Sequence, residues 1–422
     1  MLTQNHLFLI VGLFTLQGLV LFLCFSRWAI DFIHSTRLRQ VALFFCTQAL
    51  CLCLVLIGAY AEERWVFFDI LRGSADKLLR EGSLSPPERY AIKGDPGLIQ
   101  WVQEPRTSLP RPDFTSAETL RAWQTQLQRT MRELFELSDI ALPVKVRSHK
   151  LSSTVVADNI TRFFLSFESF DGTSIPAYLF LPPLAGPQPA ILVLSGHVQY
   201  GEEGITQTAG IVESYQHGAA LALARAGYIT LTMEFRGFGY LGARVNAEHR
   251  LVAHNAILGG SFYKAVLSKD IKYALDFLLS VAEVDPRRIG ITGVSFGGEM
   301  AVTYAALDER IKVVVFQGFG GGVGQGKGTA GSSQKEQPHY CHIIPHFNKY
   351  FHQEDFFFLI APRPLLGIRG ERHPSGNPPH QAATLGQAHA ALNAFSLFKF
   401  EVAPGGHEYF VQPAIQFFQR HL

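Results

Sequence analysis

The spacing of apolar side chains changes character three times along this chain. Leu7–Phe25 and Val41–Tyr60 are uncharged runs of nineteen and twenty residues, apolar on every face of a helix. Between Thr115 and about Leu137, Leu120, Trp123, Leu127, Met131 and Leu134 recur at spacings of three and four. That spacing predicts one amphipathic helix, opened by a capping box of Thr115 with Glu118. After Pro143 the pattern shortens to β-rich runs: Phe163–Phe167, Ile175–Leu181, Ala190–Leu194, Ile229–Met233, Ile289–Thr292, Val313–Phe316, Leu365–Ile368 and Phe398–Val402. The later runs do not alternate, as expected of strands buried on both faces. Helical stretches are predicted between them at Thr208–Ala226, Ser268–Val281, Gly297–Ala306 and His380–Ala394. Entry strands around an Asp171-Gly172 turn, followed by β-α repeats, predict an α/β fold. Its central sheet is mostly parallel, of about eight strands, with helices on both faces.

The two N-terminal runs are each long enough to cross a hydrocarbon core. Four charged residues, Arg27, Asp31, Arg37 and Arg39, lie between them within residues 1–60. The reading is a transmembrane helical hairpin, residues 7–25 and 41–60, with the membrane as a partner. The Arg-bearing loop favours a cytoplasmic turn and an extracytoplasmic C-terminal domain. Residues 61–150 read as a connector and helical segment, rich in proline from Pro86 to Pro112. Residues 151–422 read as the main domain.

Composition narrows the function classes. Charged residues make up 17% of the chain, hydrophobic ones 47% and aromatic ones 12%. Such a chain can bury enough apolar surface to fold. A net charge of +2 gives no polybasic surface, so nucleic acid is not an expected partner. Four of the five cysteines, Cys24, Cys46, Cys51 and Cys53, lie in or beside the apolar runs, and Cys341 stands alone in the main domain. No intrachain disulfide can staple that domain. His339, His342, His346, His352, His373, His380 and His389 are a loose histidine group. His342 and His346 have i, i+4 spacing, but Pro345 lies between them. They read as polar loop residues, so neither a metal nor another cofactor is expected.

The chemistry lies in Gly293-Val294-Ser295-Phe296-Gly297, a G-x-S-x-G motif between a predicted strand and a predicted helix. In that context the serine sits on a tight turn with its hydroxyl clear of the sheet. A serine needs a base to take its proton. His407 follows the last predicted strand behind Gly405 and Gly406, and is the candidate. An oxyanion hole would use the N–H of Phe296 and that of His197, in the loop after Ala190–Leu194.

These residues, with several others, resemble the α/β-hydrolase superfamily, and within it the dienelactone-hydrolase-like and acetyl-xylan-esterase-like serine hydrolases. The likeness is carried by Asp171-Gly172 to Leu181-Pro182, by Glu234-Phe235-Arg236-Gly237-Phe238-Gly239, by Val284-Asp285-Pro286-Arg287-Arg288-Ile289, by Leu307-Asp308-Glu309-Arg310-Ile311-Lys312 and by Ile360-Ala361-Pro362-Arg363-Pro364-Leu365-Leu366. It covers roughly residues 115–422 and implies a carboxylic-ester hydrolase working through an acyl-serine. The substrate would be a small-molecule or polysaccharide ester. One position departs. Where the family places its triad aspartate, in a G-E-x-D-P loop, this chain has Gly370-Glu371-Arg372-His373-Pro374. Histidine carries no fixed negative charge, so Glu371 is the expected acid. A hydrolase fold with weak or no catalysis, acting as a binding protein, is the alternative from another class. A prolyl-oligopeptidase-like peptidase is the alternative within the fold, although no β-propeller domain accompanies it.

Overall fold

A computed structural model describes residues 109–198, 202–245, 249–320, 340–346, 350, 352–373 and 378–422. All of these fall within one compact unit. The proposed membrane hairpin lies outside the described residues. Among the described residues no helix is long and apolar enough to cross a membrane.

Among the described residues, nine strands form one sheet: β1 Ser148–Val155, β2 Thr161–Glu168, β3 Ser174–Leu181, β4 Gln188–Leu194, β5 Ile229–Met233, β6 Val284–Val294, β7 Val313–Gln317, β8 Leu365–Gly370 and β9 Phe398–Ala403. Their order is β1-β2-β3-β5-β4-β6-β7-β8-β9. β1, β2 and β3 run antiparallel, and β3 pairs antiparallel with β5. From β5 onward every neighbour is parallel. The expected eight strands are present with one addition, β1. Its eight residues are all exposed, so no hydrophobic pattern announced it.

Burial explains the non-alternating runs. β5 and β7 are buried at every position, because helices cover both faces of the sheet. Two apolar clusters lie on opposite faces. One holds Leu192, Ile291, Phe296, Val314 and Phe357; the other holds Ile191, Val193, Val294, Val315 and Phe418. Successive residues of a strand thus feed opposite cores.

The first helix runs Ala117–Leu134 and buries Leu120, Trp123, Leu127 and Met131, as its periodicity predicted. Its cap is Ser116, whose hydroxyl accepts from Thr119 N at 3.3 Å. Thr115, the expected cap, is bonded instead to Asp113. The stretch predicted as one helix from 208 to 226 is two short helices, Gly204–Thr208 and Ala219–Arg225. Gly210 and Gly218 break it. Both have positive φ, and a Cβ on Gly218 would lie 2.9 Å from Gly210 Cα.

An ion cluster ties the turn of the entry hairpin to the helix Tyr263–Leu279. Arg236 donates to Asp270 Oδ2 at 2.7 Å and to Asp171 Oδ2 at 2.6 Å. Burial opposes the charge on Arg236, but the two carboxylates outweigh it and keep the guanidinium charged. Glu234, just before it, is buried and accepts from Gly204 N at 2.8 Å. Desolvation pushes its pKa up to about 8.

Candidate active site

The strand β6 ends at Val294 and a helix begins at Phe296, so Ser295 alone makes the turn. Its φ is 60° and ψ −123°. A non-glycine residue held in such a region costs on the order of 1–3 kcal/mol. The surroundings enforce it. A Cβ on Gly293 would stand 2.4 Å from the Gly297 carbonyl carbon, and one on Gly297 would stand 2.2 Å from Leu194 O. Only glycine lets β4, β6 and the helix approach this closely. Ser295 N donates to Gln317 O on the adjoining strand β7, at 2.8 Å.

The candidate base reaches the site on laced loops. After β8 and β9, Glu371 N donates to Ala403 O at 2.9 Å and Arg372 N to Gly405 O at 3.0 Å. A Cβ on Gly370 would lie 2.0 Å from Gly406 O, so the two loops touch through backbone. His407 rests over Gly318, where a Cβ would come within 3.0 Å of its Cε1. Its ring stacks on Tyr215 with centroids 5.7 Å apart. Burial lowers its pKa below the ordinary histidine value, and burial is the whole cause.

The structure brings His373, rather than Glu371, to this base. His373 Nε2 lies 2.8 Å from His407 Nδ1. Arg369 fixes the loop by donating to His373 O at 2.7 Å. Glu371 points to solvent, and its carboxylate lies 3.5 Å from Arg372 Nη1 with its side chain 54% exposed. The loop turns tightly after Gly370, with His373 N donating to Gly370 O at 3.1 Å. The acid expected from sequence thus faces away from His407, and an imidazole stands beside the base instead.

Tyr215 was invisible to sequence reasoning. It lies between the two short helices, inside a stretch predicted to be helical, and no motif marks it. Its hydroxyl donates to His197 O at 2.8 Å and also meets the Ser295 hydroxyl. With its ring on His407, it touches nucleophile, base and oxyanion loop together. Burial raises its pKa strongly, so it stays a phenol.

The two candidate oxyanion residues are also in contact. The His197 ring stacks on Phe296 with centroids 4.6 Å apart. Gly196, beside it, donates its N–H to Gln216 Oε1 at 2.9 Å. That bond, with the Tyr215 bond, holds the loop against the nucleophile. Behind Phe296, buried Glu299 forms an ion pair with Lys264 and bonds His342 Nδ1 at 2.6 Å. Burial alone would raise Glu299, but the two cations hold it at about 2. Burial likewise opposes charge on His342, and Glu299 overcomes it, raising the imidazole to about 10. One ligand atom each from His197, Cys341 and His342 lie within 4.8 Å of one another, a set able to hold a metal ion.

Part of the chain is similar to known proteins. Residues 131–318 match the acetyl xylan esterase (AXE1) family. The match includes Ser295, Tyr215 and His197, and ends before His373 and His407. The chain is 28% identical over 239 residues to "Putative hydrolase YtaP" of Bacillus subtilis, covering 55% of this chain and 77% of that one. Among solved structures, the "putative acetyl xylan esterase" of Bacteroides fragilis is similar with a TM-score of 0.59 at 18% identity, covering 74% of this chain and 82% of that one. A glucuronoyl esterase from Solibacter usitatus is similar with a TM-score of 0.52 at 18% identity, covering 71% and 93%. The family match supports carboxylic-ester hydrolase activity, and the structural neighbours support the fold.

Proposed function

We propose that this chain is a serine esterase that cleaves carboxylic esters, acetyl esters of sugars or polysaccharides above all, through an acyl-serine intermediate. The observation that carries the reading is Ser295 held at φ 60° between β6 and its helix, with His407 stacked on Tyr215, whose hydroxyl meets Ser295. Ser295 Oγ attacks the ester carbonyl, and His407 Nε2 takes its proton. The N–H groups of Phe296 and His197 receive the oxyanion. His407 then returns the proton to the leaving alcohol and activates water for deacylation.

His373 sets the tautomer. For His407 Nε2 to accept a proton, Nδ1 must carry one and donate it. His373 Nε2 then accepts, which puts the His373 proton on Nδ1. A neutral imidazole orients the base but stabilises the imidazolium less than a carboxylate does. Loss of the triad charge can cost on the order of ten-thousandfold. The second reading, a hydrolase fold with feeble catalysis that mainly binds, is favoured by this one substitution. Residues 7–25 and 41–60 would hold the enzyme at a membrane, with the catalytic domain on the extracytoplasmic side.

A fluorophosphonate probe tests the reading. Stoichiometric labelling that disappears in Ser295→Ala, with hydrolysis of a sugar acetate, supports the esterase. Folded protein that takes no label sinks it in favour of the binding protein.

A further inference from the structure

We propose that His197, Cys341 and His342 form a zinc-binding site that ties the oxyanion loop to the segment around residue 341. The proposal is independent of whether the esters named above are the substrates.

The donor set suits the metal. Thiolate and imidazole are the ligands that tetrahedral zinc takes most often. The spacing suits it too. Cys341 Sγ lies 3.4 Å from His197 Nε2. With Zn–S near 2.3 Å and Zn–N near 2.0 Å, a tetrahedral site needs a sulfur-to-nitrogen separation of about 3.6 Å. Cys341 also bonds His342, and the three ligand atoms all fall within 4.8 Å. A third observation concerns orientation. His342 Nδ1 lies 2.6 Å from Glu299 Oε2, so it is Nε2 that would face the metal. A ligand imidazole backed by a carboxylate is the arrangement zinc sites use to fix ring and tautomer. Glu299 is itself held by buried Lys264. Zinc binding would exchange the Cys341 thiol proton, and any proton on His342 Nε2, for the metal. Three protein ligands leave a fourth position for water.

The site meets the catalytic machinery at one residue, His197, whose backbone N–H is the candidate oxyanion donor. His197 supplies a ring nitrogen to the metal and its carbonyl to Tyr215. A bound zinc would therefore stiffen the loop that carries a candidate oxyanion donor.

The test uses the full chain with Cys24, Cys46, Cys51 and Cys53 changed to Ser, so that Cys341 is the remaining thiol. Cobalt(II) is titrated in and then displaced by zinc. The expected result is one equivalent of cobalt with tetrahedral visible bands and a sulfur-to-cobalt charge-transfer band, all lost on adding one equivalent of zinc. Cys341→Ser should abolish the charge-transfer band. His342→Gln should weaken zinc at least tenfold, and carries the test if Cys341→Ser fails to fold. Absence of the band in the parent protein, or zinc affinity unchanged in folded His342→Gln, would overturn the site.

Discussion

The two halves of the candidate site are built by different means. On the nucleophile side, backbone does the positioning. Gly293 and Gly297 admit contacts that any Cβ would block, and Ser295 is driven into a left-handed conformation. On the base side, two loops bring together side chains, and an imidazole, where a carboxylate was expected, meets His407. Backbone geometry of the first kind tolerates no side chain at Gly293 or Gly297. Side-chain partnership of the second kind tolerates exchange of the partner at a cost in rate. The comparison predicts where mutations will be fatal and where they will be graded.

The largest effect belongs to the nucleophile side. Ser295→Ala should lower ester turnover by on the order of a thousandfold or more, since removing a triad nucleophile has cost up to about a millionfold elsewhere. The fold should survive, because alanine keeps the turn's volume. Turnover of p-nitrophenyl acetate unchanged within twofold would place the chemistry elsewhere and remove the contrast altogether.

On the base side the expected direction is upward. His373→Asp restores the charge beside His407 Nδ1. It should raise kcat by about 10- to 1,000-fold, a fraction of the ten-thousandfold that triad charge is worth. The carboxylate should also raise the His407 pKa, which burial now holds below about 6.5. The acid limb of the pH–rate profile should therefore move to higher pH in the variant. His373→Ala should lower kcat and leave that limb below the ordinary histidine range. If His373→Asp only lowers activity with the fold intact, the imidazole has a role of its own.

How much of this was legible beforehand follows the same division. The nucleophile turn could be read because its requirement is local: two glycines and a serine between a strand and a helix. The parallel strands were legible because double-sided burial leaves unbroken apolar runs. β1 was not, because it lies exposed at the sheet edge, and neither was the break at Gly210–Gly218, where two glycines meet across a loop. Tyr215 depended on that break. The direction of the loop after β8 was beyond local pattern as well. The residues before His373 are held by β9 and its loop, where the Ala403 and Gly405 carbonyls accept from Glu371 N and Arg372 N.

Tyr215 spans the two sides, so its loss should be intermediate. Tyr215→Phe keeps the stack on His407 and removes the bonds to His197 O and Ser295. About a tenfold loss in kcat is expected, in line with about one to two kcal/mol for a buried hydrogen bond. KM should move less, because the hydroxyl serves geometry more than substrate binding. A loss confined to KM would reassign it to substrate recognition.

Glu234 sharpens the stability side. Its folded pKa of about 8 lies above the ordinary carboxylate value. The folded state therefore holds a proton that the unfolded chain has released. The contribution is full below about pH 4.5 and is lost as pH rises through about 8. Urea midpoints should fall across that window, and Glu234→Gln should flatten the decline. A parent protein whose midpoint is level from pH 5 to 8 would show Glu234 ionised inside the fold.

The smallest effect is expected at Glu371. Its carboxylate is exposed beside Arg372 and makes no contact with His407. An exposed pair of this kind contributes between nothing and about 1 kcal/mol. Glu371→Gln should leave kcat/KM within about twofold and shift Tm by little. A fall of a hundredfold would mean that the loop rearranges when substrate binds and swings Glu371 toward the base. The base side would then be a mobile assembly rather than a laced one, and His373 would be a resting partner. Running Glu371→Gln in the His373→Asp background separates these outcomes. A carboxylate already supplied at position 373 makes Glu371 dispensable if the two compete for His407, whereas two additive losses would assign them different tasks.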